Sequence, residues 1–368
     1  MTVRVSGRVV TPTGVIQQGC VEINGDRITA IAEYPSHRDG HWIVPGFVDI
    51  HTHGGGGHTF TTGDAEAARE AADFHLAHGT TTLLASLVSS PYELMRDATA
   101  AFAPLVDKGV LAGVHYEGPY LSAVRCGAQN PDFLRDPSLD ELTELLDLGN
   151  GAVRMVTIAP ERAGALDAIR LLVSRGVVAA VGHTDATYDQ TRAAIDAGAT
   201  VATHLFNGMR PPHHREPGPV LTLLGAPGVT CELIADGIHL HDGTLAFVAA
   251  TAGPDRAVLI TDAMAAAGMP DGEYELGGQA VVVADRVARL ARDGAIAGST
   301  LTMDAAVRQA VGAGVSIPDA IRMSTLTPAR AIGLGDRVGK LATGCRADLV
   351  VLDDDLNIIR VMRAGAWV

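Results

Sequence analysis

The sequence predicts an α/β protein: a (β/α)8 TIM barrel with a small β-sandwich-like domain formed by both chain ends. Two observations support this class. Short apolar stretches alternate with amphipathic helical stretches through the middle of the chain, and strand-like alternation with glycine turns occupies both ends. A chain of 368 residues is long enough for both parts. We predict the small β domain over residues 1–45 and 338–368, and the barrel over residues 46–337.

The two chain ends share the pattern of a β domain. The first part of the chain contains the strand-like stretches VRVSGRVV, GCVEING and RITAIAEY, separated by turn signals such as NGD. The last part, from GKLATGC onwards, shows the same alternation and the same glycine turns. We therefore expect both ends to build one domain outside the barrel.

Eight strand–helix units in a row predict the barrel. The stretches between the strands have the end signals of helices, since residues 64–79 begin with an acidic cap at Asp64 and end on Gly79. The predicted strands are residues 46–53, 80–87, 110–117, 153–160, 177–184, 199–206, 229–236 and 256–263.

Composition excludes several classes of partner. The formal net charge of −14 argues against binding to nucleic acid or to an anionic membrane. No uncharged apolar run is long enough to span a bilayer, and the first residues lack the apolar core of a signal peptide. The cysteines are scattered without a C-x-x-C motif, so we expect reduced thiols and a cytoplasmic location. The four are Cys20, Cys126, Cys231 and Cys345.

Histidine and carboxylate side chains follow five of the predicted strands. His51 and His53, in the stretch HTHGGGG, are two residues apart, so on a strand their imidazoles point to the same side. The glycines after them allow close backbone approach. Because active sites of this fold lie at the carboxyl ends of the strands, these side chains should share one cavity. The six residues are His51, His53, Glu117, His183, His204 and Asp262.

Each of these residues alone has a structural explanation. A lone histidine is usually a hydrogen-bonded core or surface residue, and an aspartate at a strand end, such as Asp262, often caps the next helix. The coincidence of all six at one face of the barrel favours a metal-dependent hydrolase instead. Nitrogen and oxygen ligands suit Zn²⁺, our first expectation, and also Fe²⁺, Mn²⁺ or Co²⁺, among which the sequence does not choose.

Eight motifs in order resemble the amidohydrolase superfamily and, more narrowly, its family of N-acetylglucosamine-6-phosphate deacetylases. The resemblance covers essentially the whole chain. The motifs of the first and eighth strands mark only the superfamily, whereas EGP, THLFNGM and ADGIH are more specific. The full set is PGFVDIHTHG, YEGPYL, VGHTDAT, THLFNGM, REPG, ADGIH, LITDAM and IAGSTLTMD.

The resemblance implies a deacetylase that hydrolyses N-acetylglucosamine 6-phosphate to glucosamine 6-phosphate and acetate. Asp262 would act as the general acid and base. One or two divalent metals would be bound per chain, and two are favoured because this chain keeps both strand-one histidines, which some relatives lack. The implied ligand sets share Glu117 as a bridge. One set is Glu117, His183 and His204, and the other is His51, His53, Glu117 and Asp262.

The resemblance also implies a phosphorylated amino sugar as substrate and a homodimer as the working unit. In that arrangement Arg215 and His239 bind the 6-phosphate across the dimer interface. The stretch MRPPHHREPGP around Arg215 is rich in proline, so we expect an extended loop here and not a helix. The other implied substrate contacts are Gln129, Asn207, the Gly208 backbone, and Ile296, Ala297, Gly298 and Ser299 of IAGS.

The chain departs from the family pattern at one implied contact. Many relatives carry a histidine twelve residues beyond the bridging glutamate, where it helps to hold the acetyl carbonyl, and this chain has Gln129 there. A neutral amide can donate a hydrogen bond but cannot carry a charge. Cys126 lies close by on a predicted loop, and nothing in the sequence indicates a lowered thiol pKa there.

Two other functions stay open from the residues. One is a different amidohydrolase reaction, such as cyclic-amide hydrolysis or deamination. Many binuclear relatives of that kind use a carboxylated lysine at the end of strand four, and here that end is VTIAPE, without a lysine. The other is an inactive scaffold, whose signature would be lost ligands, and none is lost here.

Overall fold

The computed structural model describes residues 2–34 and 40–368. Within these ranges the first strands are β1 (Thr2–Thr11), β2 (Gly14–Asn24), β3 (Arg27–Glu33), β4 (Trp42–Pro45), β5 (Phe47–Asp49), β6 (Gly54–Gly55) and β7 (His58–Thr59). The next are β8 (Thr80–Leu87), β9 (Gly113–Glu117), β10 (Val153–Ile158), β11 (Val178–Val181), β12 (Val201–Ala202), β13 (Thr230–Ile234) and β14 (Ala257–Ile260). The last are β15 (Gly272–Leu276), β16 (Gln279–Ala284), β17 (Val287–Leu290), β18 (Leu349–Leu352), β19 (Ile358–Arg363) and β20 (Ala366–Trp367).

The helices of the described residues lie mostly between the barrel strands. They are α1 (Ala65–Ala77), α2 (Tyr92–Asp107), α3 (Leu139–Gly149), α4 (Ala165–Ser174), α5 (Tyr188–Asp196), α6 (Gly218–Gly225), α7 (Asp242–Ala252), α8 (Met303–Gly312), α9 (Ile317–Met323) and α10 (Leu326–Ala331). Two short 3₁₀ turns cover Ala123–Arg125 and Pro131–Phe133. None of these helices is long and apolar enough to cross a membrane.

The eight predicted barrel strands form one parallel sheet in the order β14-β13-β12-β11-β10-β9-β8-β5. The two outer strands meet beyond their ends, because the Asp262 amide donates to the His51 carbonyl at 2.9 Å and the His53 amide donates to the Ala263 carbonyl at 2.7 Å. These two bonds bring the last barrel strand against the first. The predicted fold class is therefore confirmed, and the closure itself joins three of the candidate ligands.

The helix signals of the sequence act as expected. The Asp64 carboxylate accepts hydrogen bonds from the Glu66 and Ala67 amides and so caps α1. Thr187 and Gln190 form a reciprocal capping box at the start of α5. These caps fix where each helix leaves the loop above the barrel, and thus the position of the strand end that precedes it.

Both chain ends build a separate seven-stranded sheet in the order β20-β19-β18-β4-β1-β2-β3. The sheet curves back on itself, since the edge strand β3 exchanges hydrogen bonds with the segment before β18: the Gly344 amide donates to the Ile28 carbonyl and the Ala347 amide to the Asp26 carbonyl. Its core contains Val9, Val21, Ile23, Ile28, Ile43, Leu341, Ala347, Leu349, Val351 and Met362. The domain boundaries at residues 45 and 338 stay predictions.

One sheet lies inside the predicted barrel span and was not predicted. Strands β15, β16 and β17 form a three-stranded antiparallel sheet between β14 and α8. It packs on its own small apolar cluster with Val88, Met264 and Ala297. This sheet matters for function because it closes one side of the pocket described below.

Candidate active site

The six predicted ligand residues converge at the carboxyl ends of the barrel strands, and all six are buried. They form two groups whose ligand atoms lie close together. The strand-one group is His51, His53 and Asp262. The Glu117 group is Glu117, His183 and His204. The structure thus brings the six residues together, and their role as metal ligands stays a prediction.

In the Glu117 group one carboxylate oxygen meets two imidazoles. Glu117 Oε1 lies 3.0 Å from His183 Nε2 and 2.9 Å from His204 Nε2. The two imidazole nitrogens are themselves 3.1 Å apart. Three potential ligand atoms therefore surround one point.

The strand-one group repeats this arrangement beside it. His51 Nε2 lies 3.2 Å from His53 Nε2, and His53 Nε2 lies 3.1 Å from Asp262 Oδ1. Glu117 stands between the groups, since its Oε1 is 3.4 Å from His51 Nε2 and its Oε2 is 3.2 Å from His53 Nε2. One carboxylate is thus within reach of both groups.

The opposite ring nitrogens show which way the imidazoles are protonated. His53 Nδ1 lies 3.1 Å from the Ser86 carbonyl, and His183 Nδ1 lies 2.9 Å from the Arg125 carbonyl. A carbonyl can only accept, so Nδ1 carries the proton in both rings and the Nε2 lone pairs point into the cluster. Facing lone pairs beside carboxylates are favourable only around a positive charge, so the donor set fits a divalent cation.

His51 is oriented by a carboxylate that the sequence reading did not single out. Glu232 on β13 is completely buried, and its Oε2 lies 3.1 Å from His51 Nδ1 and 3.1 Å from the backbone amide of His204. It therefore touches one histidine of each group. A carboxylate behind a ligating imidazole fixes the tautomer and increases the ring's basicity. The available signal was a charged residue within the otherwise apolar barrel strand TCELI.

His115 lies next to the cluster, and its ring nitrogens form hydrogen bonds with hydroxyl groups. Its Nδ1 lies 2.9 Å from Ser86 Oγ and its Nε2 lies 2.8 Å from Thr157 Oγ1. The ring packs edge-on against His51 at 4.6 Å between centroids. Burial lowers the pKa of His115 well below its ordinary value, and the nearby His51 lowers it further. A neutral His115 therefore supports His51 by packing.

The charges of the cluster favour positive occupants. Burial opposes protonation of His53, but the Asp262 and Glu117 carboxylates raise its pKa to about 9. Burial likewise opposes ionisation of Glu117, yet His51 and the other imidazoles hold its pKa well below its ordinary value. The carboxylates thus stay ionised and the pocket attracts cations, whether protons or metal ions.

Backbone strain is concentrated at the ligands. His183, His204 and Asp262 adopt left-handed conformations with φ of 46°, 27° and 48°. Non-glycine residues rarely adopt this region, and such strain is typical of functional sites. Gly208, with φ of 60°, lies so close to the metal-ligand candidates that an added Cβ would be 2.7 Å from His183 Nδ1. Only glycine fits there.

The side chain of Gln129 is hydrogen-bonded to the cluster. Its side-chain amide donates to Glu117 Oε2 at 2.6 Å, and its Oε1 accepts a hydrogen bond from the Ser89 amide at 2.6 Å. The residue therefore links the loop after β9 to the carboxylate that stands between the two groups. Cys126, three residues earlier, is a half-buried free thiol on the same loop.

A pocket of about 770 Å³, including the solvent at its mouth, opens above the cluster. Its floor contains His53, Glu117 and Asp262, and Leu276 of the unpredicted three-stranded sheet forms part of one wall. Most predicted substrate contacts also lie on its surface. They are Gln129, Asn207, Gly208, His239, Ile296 and Gly298.

His239 lines the pocket of its own chain, which differs from the expectation that it acts across a dimer interface. Its Nδ1 lies 2.7 Å from Asp236 Oδ2, and both side chains are largely buried. Burial disfavours the Asp236 carboxylate, but its contact with His239 keeps its pKa below the ordinary value. The ionised aspartate fixes the imidazole, so that the other nitrogen of the ring is left for the pocket.

Three predicted substrate residues do not line this pocket. Ala297 and Ser299 are buried behind it, where the Ser299 hydroxyl donates to the Thr261 carbonyl at 2.6 Å. Arg215 is exposed, and its NH1 lies 2.9 Å from His214 Nε2. The loop before α6 is not helical, as predicted, but it contains a turn in which His213 and Glu216 pair.

Comparison with known proteins agrees with this geometry. The chain is 49% identical to N-acetyl-D-glucosamine-6-phosphate deacetylase from Mycobacterium smegmatis, whose crystal structure matches with a TM-score of 0.96 over 100% of both chains. A mutant of that enzyme has been solved in complex with N-acetyl-D-glucosamine-6-phosphate.

Two curated relatives extend the comparison. The chain is 38% identical to N-acetylgalactosamine-6-phosphate deacetylase from Escherichia coli O157:H7 over 97% of each chain. It is 34% identical to N-acetylglucosamine-6-phosphate deacetylase from Lysinibacillus sphaericus over 97% of this chain and 95% of the relative. Residues 42–368 match the Amidohydrolase family model, and the chain therefore belongs to the amidohydrolase family.

Proposed function

We propose that this chain is a metal-dependent deacetylase that converts N-acetylglucosamine 6-phosphate and water into glucosamine 6-phosphate and acetate. The observation that carries the proposal is the position of Asp262. Its carboxylate lies beside two histidine–carboxylate groups at the floor of a pocket large enough for a sugar phosphate. The mycobacterial and Lysinibacillus relatives, which carry this activity in their names, support the choice of substrate.

The residues of the two groups would hold two divalent metals, with Glu117 shared between them. Both groups contain converging nitrogen and oxygen ligands and no thiolate, which supports Zn²⁺ first and Fe²⁺, Mn²⁺ or Co²⁺ as alternatives. When bound, such a cation lowers the pKa of water towards ~7 and polarises a carbonyl group. Two metals are favoured because His51 and His53 are intact and aligned.

Asp262 carries out the proton transfers in this proposal. Its buried carboxylate takes a proton as water attacks the acetyl carbon, and it returns that proton to the sugar nitrogen as the C–N bond breaks. His51 and the other imidazoles hold the pKa of Asp262 below its ordinary value against the opposing effect of burial, so it starts the cycle as a base. Acetate and the free amine leave.

Pocket residues would fix the sugar. Asn207 and Gly208 lie on one wall, Ile296 and Gly298 on the other. His239 is fixed by Asp236 and is suited to one phosphate oxygen. Arg215 is exposed outside the pocket of its own chain, which supports a homodimer in which it reaches the phosphate in the neighbour's pocket. Four free thiols, three of them buried, support a cytoplasmic location.

The deciding experiment is acetate release from a set of matched substrates. We expect efficient release from N-acetylglucosamine 6-phosphate and a much lower kcat/KM for the same sugar without its phosphate. The 4-epimer, N-acetylgalactosamine 6-phosphate, belongs in the set because the Escherichia coli relative is named for it. Faster turnover of the epimer would identify it as the preferred substrate. If none of the three compounds released acetate, the proposal would be overturned.

A further inference from the structure

A second cleft lies at the opposite end of the barrel from the metal-ligand candidates. It is bordered by Thr81 and Thr82 at the start of β8 and by Ala112 just before β9, and the chain-end sheet covers its other side. Its volume is about 630 Å³, including the solvent at its mouth. Because the ligand candidates stand at the carboxyl ends of the strands, this cleft is separate from the pocket described above.

The wall of this cleft is strongly cationic. Among the described residues that line it there are five arginines and no aspartate or glutamate, in a chain whose formal net charge is −14. These residues, named here the arginine cleft, come from the chain-end sheet, the barrel and the segment between them. They are Arg27, Arg154, Arg337, Arg346 and Arg363.

Two of the five arginines form an ion pair with an acid within the described parts of the chain. Arg346 pairs with the buried Asp348, and Arg27 Nε lies 3.4 Å from Asp26. Among the residues that the structure describes, no carboxylate lies within ion-pair distance of Arg154, Arg337 or Arg363. The cleft therefore has three arginines without a direct ion-pair partner, although Asp348 and Asp73 partly offset the charge of Arg363 from a greater distance.

Two of the five guanidinium groups, those of Arg154 and Arg363, are held in place by backbone carbonyl groups. Arg154 Nε donates to the Ala112 carbonyl at 2.7 Å, and Arg363 NH2 donates to the Val110 carbonyl at 3.0 Å. Each guanidinium has five N–H donors, so most of the donors of both residues are left over. Burial lowers the pKa of Arg154 and Arg363, and the charges of Arg337 and Arg346, respectively, lower them further, while the carboxylates of Asp348 and Asp73 act on Arg363 in the opposite direction.

We propose that the arginine cleft is a binding site for a multivalent phosphate-type anion, distinct from the substrate pocket. Planar guanidinium groups bind phosphate oxygens in pairs, and groups already held in position lose little freedom on binding. An anion of two or more charges would offset most of the positive charge of the three arginines that lack a direct ion-pair partner. The same chemistry comes from a free inorganic anion or from the phosphate group of a sugar, so both sources belong in the test.

Calorimetric titration of the whole protein with inorganic pyrophosphate tests the site. The variant Arg337→Gln is the main probe, because no hydrogen bond or ion pair of this side chain is present in the described structure and its loss should leave folding intact. Arg154→Gln is the second probe. Arg170→Gln, on the exposed face of α4 beside Asp167, removes the same charge elsewhere and serves as the control.

We expect saturable pyrophosphate binding to the parent protein and to Arg170→Gln. The Arg337→Gln and Arg154→Gln variants should bind roughly ten- to a hundredfold more weakly, as is usual for the loss of a charged hydrogen bond. Parallel titrations with inorganic phosphate and with glucosamine 6-phosphate identify whether a free anion or a sugar phosphate is preferred.

Three results would overturn the site. Pyrophosphate that does not bind in the millimolar range excludes it. Equal affinity in Arg337→Gln and Arg170→Gln shows that the arginines are structural only. Binding that is lost in Arg215→Ala and kept in both cleft variants places the anion in the substrate pocket. None of these outcomes depends on the deacetylase activity, so the two proposals fail separately.

Discussion

The two ligand groups have similar chemistry and different support. In the strand-one group, Nδ1 of His51 is hydrogen-bonded to the buried Glu232, and Nδ1 of His53 is hydrogen-bonded to the Ser86 carbonyl. Both partners belong to barrel strands. In the Glu117 group, His183 rests on the Arg125 carbonyl, which belongs to the loop above the barrel. Nδ1 of His204 is buried and has no hydrogen-bond partner among the described residues.

This difference predicts that the two ligand groups respond to changes in different parts of the structure. The strand-one group is fixed by the rigid interior and should respond to changes in the barrel core. The Glu117 group is joined to the pocket loops through Arg125 and Gln129, so it should respond to changes that move those loops. Variants that remove the supporting contacts of one group only can show whether the two groups respond independently. The expected effects of these variants differ in size.

The largest effect is expected at Asp262, which belongs to the strand-one group and also faces the pocket. Asp262→Asn keeps the shape and removes the base, so kcat should fall ~10²–10⁴-fold, the usual contribution of a general acid–base residue. Steady-state rates on parent and variant with matched metal content measure this. A variant nearly as active as the parent would assign the proton transfers to another residue.

The next effect is on metal content and comes from Glu232. We expect two metals per chain in the parent. Glu232 contacts the ring of His51 but only the backbone amide of His204, so Glu232→Ala should weaken binding of the metal at the strand-one group more, by roughly 10–100-fold, as for other partners behind ligating histidines. Glu232→Gln keeps an acceptor for His51 and should lose less. Elemental analysis after dialysis against graded chelator measures both variants.

The control for this experiment is another buried carboxylate far from the ligands. Asp304 contacts His78 and Arg308, so Asp304→Asn changes charge without touching either group. If Glu232→Ala lowered the affinity for both metals equally, the division between the groups would be wrong. A fully active parent with one metal per chain would reject the two-metal proposal itself.

The contact between Glu232 and His51 could not be predicted from the sequence, whereas the strand ends could. The apolar runs marked the strands, and the fold dictates that their carboxyl ends meet, so the sequence predicted that the six ligand candidates lie close together, as they do in the structure. What lies behind a ligand depends on which side chains of different strands meet inside the barrel. Glu232 and His51 are far apart in sequence, and no local pattern joins them.

The unpredicted three-stranded sheet has a different cause. Its strands β15, β16 and β17 follow the last barrel strand, where the pattern of eight units was already complete. The sheet packs on its own cluster through Leu276 and Val281 and not on the barrel core, so the barrel pattern does not require it. As a result, the pocket wall at Leu276 was missed although the ligands below it were not.

The Arg215→Ala variant tests the contact with the substrate phosphate, which involves neither ligand group. Because the fork of an arginine binds phosphate oxygens in pairs, Arg215→Ala should lose ~1.5–3 kcal/mol of substrate binding, or roughly ten- to a hundredfold in affinity. The loss should be much smaller for the substrate without phosphate. Binding measured on metal-loaded Asp262→Asn protein, with and without the Arg215 change, isolates this effect.

Subunit mixing shows which chain supplies the arginine. Hybrid dimers of Arg215→Ala and Asp262→Asn chains should regain activity in the one pocket that has Asp262 from one chain and Arg215 from the other. Recovery requires that the two chains exchange, which differently tagged subunits can demonstrate. Without recovery in exchanged dimers, the phosphate would be held within a single chain.

The smallest effect is expected at Gln129, where the loop meets the Glu117 group. Gln129→Leu removes the donor to Glu117 Oε2 and the acceptor for the Ser89 amide at similar volume. The loss of a hydrogen bond to a charged group is worth about 1.5 kcal/mol at the low end, so kcat/KM should fall about tenfold. Gln129→His can replace both contacts with its two ring nitrogens and should recover most of that loss.

Metal analysis of the two Gln129 variants should show that metal binding at the strand-one group is unaffected. Unchanged kcat/KM in Gln129→Leu would mean that the loop does not act through Glu117.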